Sequence, residues 1–213
     1  MITKDIELFT QNSIRITEGD RRIYIDPFQM RREPNNADFI LITHNHVDHF
    51  SPRDIEKVAC ERTVLVVPEA MADKAEEVSH LVAKICTVKP GEYYTFDGLR
   101  LETVPAYNIG KDFHPKSAGW VGYIVMIAGH RIYIAGDTDE TAEALNVICD
   151  IALVPVGGTY TMDAREAARL INIIHPKIAI PTHYGSVVGS KTAAETFRDC
   201  VDTSVKVEVK MLY

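Results

Sequence analysis

An all-apolar tetrad, Phe39-Ile40-Leu41-Ile42, runs directly into Thr43-His44-Asn45-His46-Val47-Asp48-His49. The tetrad reads as a strand covered on both faces, because a strand with one wet face would alternate. The run after it sets three histidines and one aspartate within six residues. Imidazoles and carboxylates are costly to bury without partners. A fold that accepts this run must therefore give those groups something to bind at the strand's exit. Neutral imidazole and carboxylate are the ligands that zinc, manganese and iron take. The spacing of His44 and His46 suits two ligands on a tight loop, and Asp48 and His49 can turn toward a second ion. Just beyond, Ser51 before Pro52 is an N-cap followed by proline at the first helical position. Strand, ligand loop and capped helix thus follow one another, the order of a sheet with helices outside it.

Short β-branched runs bounded by Gly, Asp or Pro predict strands over 14–17, 22–26, 39–42, 64–67, 93–96, 100–104, 122–127, 131–135, 151–154, 178–181 and 206–209. Asp20-Arg21 and Gly129-His130 read as tight hairpin connections. Helices are expected over 52–59, 68–77, 140–147, 163–174 and 190–199, the fourth capped by Asp163 with Ala167, Leu170, Ile171 and Ile174 at helical spacing. Arg22-Ile23-Tyr24-Ile25-Asp26 is echoed by Arg131-Ile132-Tyr133-Ile134-Ala135-Gly136-Asp137. Short apolar words recur by chance as readily as by duplication; if it is duplication, two similar halves each send a strand toward a common edge.

Two later strand exits carry further candidate ligands. Ile132-Tyr133-Ile134 leads through Gly136 to Asp137, and Ile178-Ala179-Ile180-Pro181 leads through Thr182 to His183. Alone, each reads as an ordinary turn residue. Together with the first cluster they place all the candidate ligands at strand exits, where sites on α/β sheets gather.

The 213 residues, 46% of them hydrophobic, suit one well-buried domain spanning 1–213. A net charge of −7 argues against nucleic acid as a partner, since a phosphate backbone attracts Lys and Arg. No apolar run approaches the ~20 residues of a membrane span, and the N-terminal segment has no apolar signal core. Cys60, Cys86, Cys149 and Cys200 stand far apart and read as four reduced thiols. A cytoplasmic enzyme acting on a small-molecule substrate is the expectation, and an exposed strand edge would permit a homo-oligomer.

The H-x-H-x-D-H loop, the Gly-Asp at 136–137 and the late His183 resemble the metallo-β-lactamase fold superfamily. Val104-Pro105-Ala106-Tyr107-Asn108, His114-Pro115-Lys116 and Gly119-Trp120-Val121-Gly122-Tyr123 are similar to a branch of small stand-alone hydrolases related to ascorbate-phosphate lactonases and N-acyl phosphatidylethanolamine phospholipases. The resemblance runs from about Ile14 to Tyr184. It implies an α/β (α+β) four-layer αββα sandwich holding two divalent ions, zinc first, with manganese or iron as alternatives. It assigns His44 and His46 to the first ion, Asp48, His49 and His183 to the second, and Asp137 as the bridge. The family's third histidine for the first ion has no direct match. Asn108 stands at the aligned position and His114 is the nearest histidine, so His114 binds, or Asn108 does, or that site is incomplete. Asp26 is the candidate to orient a ligand imidazole.

The implied reaction is hydrolysis of an ester, lactone or phosphodiester of a small anionic substrate by a metal-activated water. Asp48 or Asp137 would carry the proton. Lys116, with Lys111 and His114 on the same loop, is the candidate to receive an anion, and Tyr160 and Tyr184 to donate to a leaving group. A nuclease would need a basic face; a non-catalytic metal-binding protein on the same fold is the other alternative.

Overall fold

The computed structural model describes residues 2–212. They form two compact units, one running to Lys89 and including Met211 and Leu212, the other Pro90–Lys210.

The first unit holds a six-stranded sheet of β1 (Ile6–Leu8), β2 (Ile14–Glu18), β3 (Arg21–Ile25), β4 (Phe39–Leu41), β5 (Val64–Pro68) and β6 (Lys84–Val88), in that spatial order. β1, β2 and β3 are antiparallel, and β3 to β6 are parallel. The parallel steps need crossovers. One carries α1 (Pro52–Val58), the next α2 (Ala72–Ala75), which is flanked by 3-10 turns at Glu69–Met71 and Glu76–Leu81. Ile40, Ile42, Ile55, Val58, Leu65 and Val78 belong to one apolar cluster that joins these helical segments to the sheet. β4 is buried at all three positions, as its unalternating sequence requires.

The second unit holds seven strands: β7 (Tyr93–Phe96), β8 (Leu99–Pro105), β9 (Val121–Ile127), β10 (His130–Ile134), β11 (Ile151–Pro155), β12 (Ile178–Thr182) and β13 (Lys206–Val207). β7 to β10 are antiparallel and β10 to β13 parallel. α3 (Ala164–Ile174) and α4 (Ala193–Cys200) make the crossovers around β12. Asp163 caps α3 through a capping box with Glu166, and Ala167, Leu170 and Ile171 form its buried face.

Without β7, the two sheets have the same order of antiparallel and parallel steps. The repeated Arg-Ile-Tyr-Ile lies on β3 and on β10, and each of these strands is antiparallel to the strand before it and parallel to the one after. Chance repeats letters, but it does not repeat a place in the topology, which favours duplication.

The mixed α/β class with two sheets is the expected one. Several elements differ from the sequence reading. The helix expected over 68–77 starts late, because Pro68 is still in register with Val88 on β6. The helix expected over 140–147 is a single 3-10 turn, Ala144–Asn146; Thr141 Oγ1 already accepts the Ala144 N–H, and the chain must reach β11 at Ile151. The hairpin turns are Gly19-Asp20 and Ala128-Gly129, one residue earlier than expected. β1 and β6 were not expected at all.

Candidate metal centre

In the first unit the β4 ladder continues past its last residue through Ile42 N–H to Val66 O, 2.9 Å, and carries the chain to Thr43. There it turns: His49 N–H and Phe50 N–H both donate to His46 O, at 3.0 and 2.8 Å. Phe50 is buried, and Ser51 caps α1 with its hydroxyl facing the Asp54 N–H. The ligand loop is thus pinned at both ends.

Asp26 leaves β3 at φ +44, fully buried. Its Oδ1 accepts the Thr43 N–H at 2.8 Å. Its Oδ2 lies 2.7 Å from Asn12 Nδ2, 2.6 Å from Thr43 Oγ1 and 2.7 Å from His49 Nδ1. With Nδ1 held by a carboxylate, the His49 ring turns its Nε2 toward Asp48 Oδ2, 3.6 Å away. His44 Nδ1 lies 3.0 Å from Thr43 Oγ1, and His44 Nε2 lies 3.0 Å from His46 Nδ1. Two ring nitrogens at that separation share either a proton or a cation.

In the second unit Asp137 follows β10, and His183 follows β12 at φ +56, the left-handed region that non-glycine residues seldom occupy. His183 Nε2 lies 3.3 Å from Asp137 Oδ1. His114 is buried, its ring edge-on to Trp120 at 4.3 Å, with a ring nitrogen within 4.8 Å of an Asp137 carboxylate oxygen. The Asn108 N–H donates to His114 O at 2.7 Å, so the aligned asparagine and the nearest histidine stand side by side. Asn108 Nδ2 donates to Tyr160 O at 2.9 Å, while its Oδ1 is buried with no hydrogen-bond partner among the described residues.

Asp139 ties this loop down. It accepts the Ile109 N–H at 2.8 Å and Lys111 Nζ at 2.6 Å, and Lys111 also donates to Thr161 O at 2.9 Å. Gly157 lets two loops touch, since a Cβ there would meet His183 O at 2.3 Å.

The first unit brings His44, His46, Asp48 and His49 together with Asp26; the second brings His114, Asp137 and His183 together. Three imidazoles and one carboxylate in the first unit, and two imidazoles and one carboxylate in the second, are each nitrogen and oxygen donors of the kind that borderline divalent ions take. Lys116 is an exposed residue whose ammonium pairs with Glu143 at 2.7 Å, and the Glu143 carboxyl is held below its usual range chiefly by that bond. Tyr160 packs edge-on against Phe113 at 4.7 Å. Tyr184 is buried, and burial raises its hydroxyl pKa. Thr43, Asn12 and Asp139 were not singled out in the sequence. Asp139 had a signal, a second aspartate two residues after Asp137; Asn12 had none. The four cysteines are free, and among the described residues no helix is long and apolar enough to cross a membrane.

A family described as a β-lactamase superfamily domain matches residues 5–183. A metal-dependent hydrolase of Thermococcus kodakarensis is 32% identical over 216 residues, 94% of each chain. A candidate metal-dependent hydrolase of Parabacteroides distasonis superposes with a TM-score of 0.81 at 30% identity, over 98% of this chain and 93% of its own. A metallo hydrolase of the archaeon Ignicoccus hospitalis, 21% identical, matches with a TM-score of 0.77 over 97% and 94% of the two chains, a likeness of fold.

Proposed function

The chain belongs to the β-lactamase superfamily and is a metal-dependent hydrolase; on that premise we propose that it holds two divalent ions and cleaves an ester, lactone or phosphodiester bond of a small substrate. His44, His46 and His114 would hold the first ion and Asp48, His49 and His183 the second, with Asp137 a donor to either. Residues 1–213 then act as one functional domain, because neither unit's donors complete both ion sites. Zinc is the first choice of ion, and the free cysteines accord with a cytoplasmic setting.

The observation that carries this reading is the buried His114, within 4.8 Å of Asp137. It supplies an imidazole beside the position where the superfamily pattern has a histidine and this chain has Asn108, and imidazole is a better ligand for such ions than the amide oxygen of Asn108. Divalent ions held by these donors would supply a Lewis acid for the attacked carbonyl or phosphoryl oxygen and would lower the pKa of water toward neutral. Asp26 and Thr43 hold the His49 and His44 rings through their Nδ1 atoms. Asp48, the more exposed of the two ligand carboxylates, takes a proton from the attacking water and returns it to the leaving oxygen. The acyl–oxygen or phosphorus–oxygen bond breaks, water supplies the new oxygen, and one proton ends on the leaving group.

Protein stripped by a chelator and reloaded with zinc or manganese tests the reading on chromogenic esters, lactones and phosphodiesters. Turnover should vanish on stripping and return on reloading. Asp48→Asn should lower kcat by about 10²–10⁴-fold, the range of a positioned acid–base group. A fully loaded protein inert toward all three classes would contradict the proposal.

A further inference from the structure

Soluble proteins seldom leave large apolar side chains exposed in clusters, and those that do so usually bind something there. Ten large apolar side chains are exposed among the described residues; four of them stand on loops that carry the candidate ligands, and a fifth, Tyr160, stands on the loop after β11. Val47 lies between His46 and Asp48 and is 81% exposed; Ile109 and Phe113, at 58% and 51%, flank the loop that ends at His114. Tyr160 is 37% exposed and Val187, four residues past His183, is 55% exposed.

Within the second unit these loops are joined. The Phe113 and Tyr160 rings meet edge-on at 4.7 Å, and Asn108 and Lys111 bind the carbonyls of Tyr160 and Thr161. The loop after His183 reaches the same place, since a Cβ on Gly157 would lie 3.2 Å from Val188 Cγ2. The cations on these segments are largely committed. Lys111 is tied to Asp139 and Thr161 O, and Lys116 to Glu143. Lys191, exposed beyond Gly189, is the remaining one.

We infer that the substrate carries an uncharged apolar acyl chain that lies on the rim made by Ile109, Phe113, Tyr160 and Val187. The inference rests on the hydrolase reading above and narrows its substrate to esters or lactones with an apolar part. Sites for such ligands are lined mainly by apolar and aromatic side chains, with a few polar groups that fix orientation. Divalent ions would themselves attract an anionic reacting group, but an anionic group lying away from them would call for unpaired Lys or Arg on these loops. Tyr160 acts here through its ring rather than as a hydrogen-bond donor.

The test compares kcat/KM on 4-nitrophenyl octanoate, 4-nitrophenyl acetate and bis(4-nitrophenyl) phosphate, with zinc-loaded wild type, Phe113→Ala, Phe113→Leu and Tyr160→Ala. Calorimetry with octanamide and acetamide reads binding without turnover. Wild type should favour octanoate over acetate and bind octanamide more tightly than acetamide. Phe113→Ala and Tyr160→Ala should each cut the octanoate-to-acetate ratio by about tenfold, the effect of one or two methylenes leaving an apolar site. Phe113→Leu should restore most of it, and Tyr93→Ala, an exposed aromatic on β7, should leave the ratio where it was. Equal handling of both esters, or a preference for the phosphodiester, overturns the inference while the hydrolase reading stands. A loaded protein inert toward all three substrates removes the hydrolase reading; octanamide binding that Phe113→Ala weakens would still support the apolar rim, and equal weak binding of both amides would remove that too.

Discussion

A buried carboxylate with no lysine or arginine beside it is stable only if its lone pairs are filled. Asp26 fills them with the Thr43 N–H and hydroxyl, the Asn12 amide and His49 Nδ1. Three of these bonds fix backbone or side chains around the ligand loop, and the fourth sets the tautomer and angle of a proposed ligand ring. Asp26→Asn keeps the size but removes acceptor capacity, and one of those donors then faces an N–H₂ group. Affinity for the second ion should fall by about 10–100-fold, the usual cost of losing such a support. Competition with a chromogenic chelator reads this directly, and unchanged affinity would contradict the role given to Asp26. The sequence marked Asp26 only as an aspartate at a strand end before Pro27. Its partners lie 14, 17 and 23 residues away along the chain, and no local pattern announces contacts of that range. Asn12 was invisible for the same reason.

The helix after the ligand loop is short, and its first turn does more than start it. Asp54 in α1 accepts the Gln29 and Met30 N–H groups at 3.0 and 2.9 Å, the Ser51 hydroxyl at 2.9 Å and Lys57 Nζ at 2.8 Å. It thereby fastens the segment after Asp26 to the helix that follows His49. Burial alone would raise the Asp54 carboxyl, but the bonds from Lys57, Ser51 and the two backbone groups outweigh it and hold the pKa below the ordinary 3.8. A depressed folded value stabilises the protein at pH above 3.8, and that stabilisation is lost as pH falls through the folded value. Asp54→Asn should therefore lower unfolding free energy by about 1–3 kcal/mol near neutral pH, with the gap to wild type closing in strong acid. Denaturant titrations of metal-free protein at pH 7 and near pH 3 check it, and a gap that stays constant would contradict it. Elements with strong local signals, such as α1 with Ser51-Pro52 and α3 with its capping box, were readable from sequence. β1 is three residues long and β6 is an edge strand with mixed exposure, so neither has a clear period. Their existence depends on partners supplied by β2 and β5.

For the whole molecule, the repeated topology gives each unit the same plan, a sheet whose strands end in loops bearing polar groups. The first unit uses the exit of β4 for four candidate ligands, while the second distributes three among the exits of β8, β10 and β12. Concentrated ligands are easy to read: His44 to His49 stood out at once. Dispersed ones are not, and His114 was an open alternative because it lies six residues beyond the aligned Asn108. What joins those two positions is the Asn108 N–H bond to His114 O, which closes the loop, and the tie from Lys111 to Asp139, 28 residues away. The family match carried the rest, since the pairing of a first-unit and a second-unit ligand set is a chemical proposal that rests on it.

That proposal is most directly tested by metal content per chain, measured by elemental analysis on wild type and on His114→Ala after reconstitution with zinc. Two ions in wild type, falling toward one in the variant, is the predicted result. Two ions in both proteins would contradict the place given to His114, and only a trace in wild type would contradict the metal centre itself.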